Sequence, residues 1–472
     1  MQRIPVAADL QLPEERGARN AAFVLFCVFI VGYYLRLTAR IPALGAIHYD
    51  ILVAGLTALA IVFASVKPER KDAKIDTVTK RLLVLLGYII VTIPFVQWPG
   101  SVVHNLETYI KSLCFYFFVL ATVDTTRKLR ILLAVYALTQ LWRVLEPLYL
   151  HVRFGYWGSI TSIGNWETMN RLAGSSYDVI NPNGLAFVVI MTLPLLHFIV
   201  KPDAPAKRVL WCALAAAMAY ALVLSASRSG FLAFVFLCLL GIWRSKHRGV
   251  WIAVAVVVAF FSVSSMTYLE RERYVSIFSH DAPGAQTAEG RITGVIDDFK
   301  ISLRRPFFGH GLGTSRETNW HYRGVAMPSH NLYTEAAQEL GYIGLALLLA
   351  LIWSFLRACW SAQRVTRHAP AGDEQLLFLH TVAASLVMVV AVDLFFSFAA
   401  FGLSEPYWYF FGGLSVVTAR MATKISESRG ESALPAERTQ RAAVPDYYGL
   451  KRSQRARALT ADRTPGLSGR PS

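Results

Sequence analysis

The chain has 472 residues, 54% of them hydrophobic and only 17% charged, with a mean hydropathy of +0.42. That balance excludes an ordinary soluble domain, where about a quarter of residues are charged, and its apolar runs are continuous rather than alternating, which excludes a membrane β-barrel. The net charge of +16 comes with no nucleic-acid recognition motif, so no nucleic-acid partner is expected; the excess Lys and Arg suits the cytoplasmic loops of a membrane protein.

In chain order, residues 1–19 read as a polar cytoplasmic tail, with no cleavable leader expected. Apolar runs of bilayer length recur at 20–36, 47–66, 82–98, 106–123, 131–149, 178–200, 209–226, 229–243, 249–267, 331–356, 376–399 and 405–421. The expected fold is all-α and multi-pass, with about 12 transmembrane helices. Residues 20–267 would hold spans 1–9 and residues 331–421 spans 10–12. Between them, 268–330 reads as a partly helical loop domain. Residues 422–472 are rich in Arg, Ser, Pro and Ala and are expected to be a disordered basic cytoplasmic tail able to touch anionic lipid. Run 131–149 carries Arg143 and Glu146, an unusual burden for a span.

Loop charge orients the spans. Lys67, Arg70, Lys71 and Lys74 fall in one loop, Arg127, Lys128 and Arg130 in the next of that set, then Lys201, Lys207 and Arg208, then Arg244, Lys246 and Arg248. The alternate loops 98–105 and 401–406 carry neither Lys nor Arg. Positive loops stay inside, so both termini are expected in the cytoplasm, and 150–177, 225–229 and 268–330 on the opposite side. The aromatic, polar stretch 150–177 would lie at the membrane interface.

Within 268–330, Ile292, Val295, Ile296 and Phe299 recur at helical spacing, predicting a helix over 289–304 that stops before Pro306, with Arg291 in its first turn. The loop PFFGHGLG after it has no Gly-Lys-Ser/Thr and is not a phosphate-binding P-loop. The cysteines Cys27, Cys114, Cys212, Cys238 and Cys359 sit in or beside apolar runs and form no metal-ligand spacing. Asp297 and Asp298 are adjacent on a helix and point apart, so they make no metal motif either.

Several side chains have the chemistry for a reaction at this surface. His330 stands at the mouth of the span opened by Asn331 and titrates near neutrality, so it is either a base or an interfacial cap. Arg228, in SASRSG between two apolar runs, is either a snorkelling residue or a forked ligand for phosphate. Arg291 near a helix start can hold an anion; Arg304 and Arg305 can do the same or be solvated. Asp393, inside a span, can orient the imidazole or pair with an arginine. Glu335 and Glu339, four apart on one face, can contact a sugar or balance the arginines. Asn181-Pro182-Asn183-Gly184 opens another span from the same side, and its amides can meet a polar head group.

Three motifs now stand in order: SRSG at 227–230, the Gly290-Arg291 helix leading to RPFFGHGLG, and SHNLYTEAAQELGYIG at 329–344. Together they resemble the O-antigen ligase and polymerase superfamily, over about residues 175–400. The resemblance implies a metal-independent glycosyltransferase of the bacterial inner membrane, with a periplasmic active site and no cofactor. Its donor would be an undecaprenyl-diphosphate-linked glycan and its acceptor lipid A-core or a growing glycan. His330 would be catalytic, Arg228 and Arg291 would hold the diphosphate, and Asp393, Glu335, Glu339, Asn331 and Arg305 would support them. Direct attack by the acceptor hydroxyl would invert the anomeric centre. A ligase is the first expectation, an O-antigen or exopolysaccharide polymerase the second, and a lipid-linked glycan flippase the rival from another class. The long outer loop with its histidine, and the lack of a visible repeat, argue against the flippase.

Overall fold

The computed structural model describes residues 13–64, 75–164, 167–244, 248–249, 252, 256, 285–367, 372–400 and 402–442. It is mostly helical. The chain divides into two compact units, residues 1–422 and 423–472.

In the first unit, α1 (Pro13–Leu35) is followed by short helices α2 (Leu37–Arg40) and α3 (Pro42–Ala46), then α4 (Tyr49–Ala64), α5 (Thr77–Thr92), α6 (Pro99–Thr122) and α7 (Thr126–Phe154). After a hairpin come α8 (Pro182–Thr192), α9 (Pro205–Leu224) and α10 (Arg228–Arg244), then α11 (Ala285–Ser302), α12 (Ser315–Arg323), α13 (Leu332–Thr366), α14 (Glu374–Phe396) and α15, which begins at Pro406. In the second unit the α15 helix continues to Ala442, through the first part of the segment expected to be disordered, where Ala, Glu, Lys and Arg favour helix. Residues 1–12 of the expected tail 1–19 and 443–472 of the expected tail 422–472, nearly all of the run 249–267 and all of 268–284 lie outside the described residues.

A helix occupies each of the other predicted apolar runs. Among the described residues six are long and apolar enough to cross a membrane: Gly17–Leu35, Thr77–Phe95, Thr126–Phe154, Pro205–Leu224, Leu332–Thr366 and Glu374–Phe396. Tyr49–Ala64 and Pro182–Phe198 are apolar but shorter.

The all-α expectation needs one correction. Residues 158–172 form an antiparallel hairpin, β1 (Gly158–Gly164) and β2 (Glu167–Leu172), with Ser159 opposite Arg171 and Thr161 opposite Met169. A lone two-stranded hairpin is marginal in water. This one packs through β2 on α7, α8 and α9. The Arg171 guanidinium donates to Ser225 O at 2.8 Å and Asn183 Oδ1 at 3.0 Å, tying the strand to both neighbouring helix ends.

Helix α1 packs on α4, α6 and α7, and α13 packs on α14, α5 and α11. An aromatic cluster fills the middle: Phe26, Phe29, Phe115, Tyr136, Phe410 and Phe411 are all buried, with Tyr136 and Phe410 centroids 4.6 Å apart. The charges of α7 are neutralised inside the bundle. Arg143 makes a forked pair with Asp178 (2.8 and 3.0 Å) and donates to Gln140 and Tyr407. Glu146 accepts both terminal nitrogens of Arg40. Paired in this way, the two charges do not disqualify the helix as a span.

One device joins two of the sequence motifs. Helix α13 breaks at Gly341, which adopts φ 70°, ψ −180°. The carbonyls freed around the break are taken up by the RPFFGHGLG loop: His310 N–H donates to Gln338 O at 2.8 Å and Gly311 N–H to Glu339 O at 2.9 Å. In return, Tyr342 N–H donates to Pro306 O at 2.7 Å. Gly309 (φ 66°) is needed for the same contact, since a Cβ there would stand 2.4 Å from Glu339 O.

Candidate functional site

A cavity of about 560 Å³ opens where α1, α7, α8, α11, α14 and the start of α15 converge. Arg291 and His330 both line it, although they stand on separate elements. Asp393 of α14 lines it too, as do Asn181 and Asn183 from the turn ahead of α8.

His330 is held by its neighbours. Asn331 caps α13, its Oδ1 accepting Tyr333 N–H (2.9 Å) and Thr334 N–H (3.1 Å) while its Nδ2 donates to Phe398 O. Ser329 is fully buried and its hydroxyl meets Thr334 Oγ1 at 2.9 Å. A histidine between two anchored residues has its backbone held in place at the cavity wall. Burial pushes its pKa below the usual histidine range; Arg291 pushes the same way and Asp298 opposes.

Arg291 lies on α11, two turns before Asp298, and residues seven apart share a helix face. That explains how both act on one imidazole. The helix starts at Ala285, earlier than expected, so Arg291 is in the second turn rather than the first. The amides of the helix end therefore lie a turn away, and the guanidinium itself supplies the charge. Asp298 is buried beneath, near Gln338 Nε2 (3.3 Å) and Arg323, and burial raises its pKa. Asp297 lies near Lys300 (3.7 Å) and also reaches Arg323 (3.6 Å), so the two adjacent carboxylates share one guanidinium instead of pointing apart.

Arg228 is the first residue of α10 and lies within electrostatic range of Arg291. Its neighbours in SASRSG fix its place. Ser227 is fully buried; its hydroxyl donates to Asn183 Oδ1 (2.9 Å) and accepts Gly230 N–H (3.2 Å). Gly230 lets α10 approach α8, since a Cβ would stand 2.5 Å from that of Ala186. Asn183 Oδ1 thus joins the SRSG turn, β2 and the Asn-Pro-Asn-Gly turn at one atom.

The remaining candidates fall elsewhere. Glu335 accepts Gly402 N–H (2.8 Å) and Leu403 N–H (3.1 Å), and Glu339 accepts Gly313 N–H (2.7 Å) and Ser315 N–H (3.1 Å). Both anchor loops, and no arginine among the described residues forms a salt bridge with either. They line a second cavity. Arg305 lines neither cavity and lies near His310, which is stacked on Trp98 and bonded through Nδ1 to Gln338 O. Arg304 lies over the ring of Tyr322.

Sequence reasoning missed four contributors. Asp298 was weighed only as half of a metal motif, though its spacing from Arg291 was a usable signal. The Arg143–Asp178 pair and Tyr407 line the cavity wall, but their contact joins segments that no local pattern connects.

Residues 213–349 match the family model described as O-antigen ligase, a stretch that contains SRSG, Arg291, RPFFGHGLG and His330. The match supports the O-antigen ligase and polymerase superfamily for this chain. No curated protein matches the chain.

Proposed function

We propose that the chain is a ligase-type glycosyltransferase. It moves a glycan from undecaprenyl diphosphate to a hydroxyl of lipid A-core, at the periplasmic face of the bacterial inner membrane. The observation that carries this reading is the meeting of His330 and Arg291 in one cavity, with Arg228 within electrostatic range of Arg291. About 12 spans with both termini cytoplasmic is the topology that goes with it.

In the reaction, the acceptor oxygen attacks the anomeric carbon as the bond from that carbon to the diphosphate oxygen breaks. The bonding pair leaves on the diphosphate, and the hydroxyl proton passes to His330. Attack opposite the leaving group inverts the centre. Two forked guanidinium groups suit a diphosphate and stabilise the charge that grows on it, which makes a metal ion unnecessary in this scheme. A half-buried histidine with a lowered pKa stays neutral at ambient pH and is ready to accept a proton. Asp298, on the Arg291 face, steadies the imidazolium once it forms.

The test is transfer by purified protein in detergent, with donor and acceptor supplied and no compartments. His330→Ala should lose about 10²–10⁴-fold in rate while keeping the thermal stability of the wild type. Full turnover in that variant removes His330 as base. A protein that joins nothing in detergent but moves lipid-linked glycan across vesicles is a flippase. A product lengthened by repeats on the donor lipid, with no lipid A-core conjugate, identifies the polymerase.

A further inference from the structure

A second cavity, of about 700 Å³, adjoins the first and has no part in the reaction described so far. The two share Thr108, Gly402 and Glu405 as wall residues. Pro328 lines the second, and two residues later His330 lines the first. A molecule held in the second cavity therefore has a short path to the imidazole.

The chemistry of its walls differs from that of the diphosphate side. Glu317, Glu335, Glu339 and Glu405 outnumber Arg316 among the charged lining residues. A wall with four carboxyl groups and a single guanidinium offers hydrogen bonds to a neutral or amine-bearing group and little to hold a diphosphate. Trp320 on this wall is 54% exposed, which leaves part of the ring open to the cavity. It comes from α12, the short helix whose start is pinned by Glu339 through Ser315 N–H. An open indole face matches the C–H face of a pyranose, while Ser101 and His104 across the cavity offer hydrogen bonds to its hydroxyls.

We infer that the second cavity is the acceptor subsite and takes the terminal sugar of the acceptor glycan, a neutral or amine-bearing saccharide stacked on Trp320. Its reacting hydroxyl enters the first cavity past Thr108, Gly402 and Glu405 and meets His330. This rests on the transfer reaction proposed above.

The experiment uses the full chain in detergent and two probes, measured by equilibrium binding: a lipid A-core glycolipid ending in a neutral sugar, and free undecaprenyl diphosphate. Trp320→Ala should weaken glycolipid binding about tenfold or more, leaving undecaprenyl diphosphate binding unchanged. Trp320→Phe should recover most of the loss, since it restores an aromatic face, and His104→Ala should weaken the glycolipid alone. Wild-type glycolipid affinity in both Trp320→Ala and His104→Ala overturns the subsite. So does a parallel loss of undecaprenyl diphosphate binding, which assigns the cavity to the donor. Wild-type protein that holds the diphosphate but not the glycolipid overturns the neutral-sugar class. Wild-type protein that holds neither probe sinks the transfer reaction itself, a result distinct from the other three.

Discussion

Alanine at position 341 tests whether the break in α13 is what couples the glycine loop to the His330 helix. Gly341 adopts φ 70°, ψ −180°, a combination open essentially to glycine alone. A Cβ there would lie 2.2 Å from Phe307 O and 2.8 Å from Pro306 O, backbone atoms that cannot rotate aside. Either the loop withdraws or α13 closes into a continuous helix. Both outcomes strip partners from Tyr342 N–H, His310 N–H and Gly311 N–H. Strain at such a position is about 1–3 kcal/mol, and each lost backbone bond is worth about 0.5–1.5 kcal/mol. With two or three bonds lost, Gly341→Ala should destabilise by roughly 2–7 kcal/mol. Thermal inactivation in detergent reads the loss, and amide exchange across 306–313 locates it. Gly87→Ala is the control: it lies in α5, nothing stands within 4 Å of the added Cβ, and it should be neutral or slightly stabilising. If Gly341→Ala matches the wild type in both measurements, the break does not hold the loop.

Activity should respond to pH through His330. Its pKa is lowered, so the neutral base persists as pH falls through the ordinary histidine value near 6.5, and the rate should drop only below that; a midpoint at or above 6.5 in a pH–rate profile refutes the assignment. Arg228→Lys keeps the charge but loses the fork, and should cost about 10²-fold in transfer rate; unchanged rate and donor affinity would remove Arg228 from the site. Arg143→Met leaves buried Asp178 without its partner and should destabilise by about 3–5 kcal/mol, whereas Arg143→Met with Asp178→Asn should recover much of it; equal losses in the two variants, read by thermal denaturation, would show that the pair is not the cause.

Much of this arrangement was legible because it rests on local rules. Pro306 stops α11, predicted over 289–304 and found at 285–302, since proline cannot continue a helix. Asn331 reads as the start of a span, and it caps α13 there, the role that the sequence offered to His330. The apolar runs yield helices because a long run of Leu, Val and Ala has few other options. What escaped depends on partners remote in sequence. The hairpin 158–172 is stable because α7, α8 and α9 support it, and no alternation in its own residues reports that. Glu335 and Glu339 suggested a charged face, yet their partners are backbone amides of loops at 402–403 and 313–315, which carry no sequence mark of being amide donors.

The charges of the first unit are sorted by what neutralises them. Arg143 and Arg40 have carboxylates from the protein itself, and their cost of burial is met when the bundle folds. Arg291 and Arg228 are each partly buried, and Arg228 lies in the field of Arg291. Holding two like charges near each other costs free energy, and a group bearing negative charge between them returns part of it. The fold accepts that cost through rigid means. Ser227 and Gly230 fix one arginine against α8, and the length of α11 fixes the other above Asp298. Electrostatic strain of this kind is released when an anion binds, and more so as its charge grows. The same two guanidinium groups that would bind a diphosphate at rest would therefore favour its departure, with His330 close enough to take the proton that the new bond displaces.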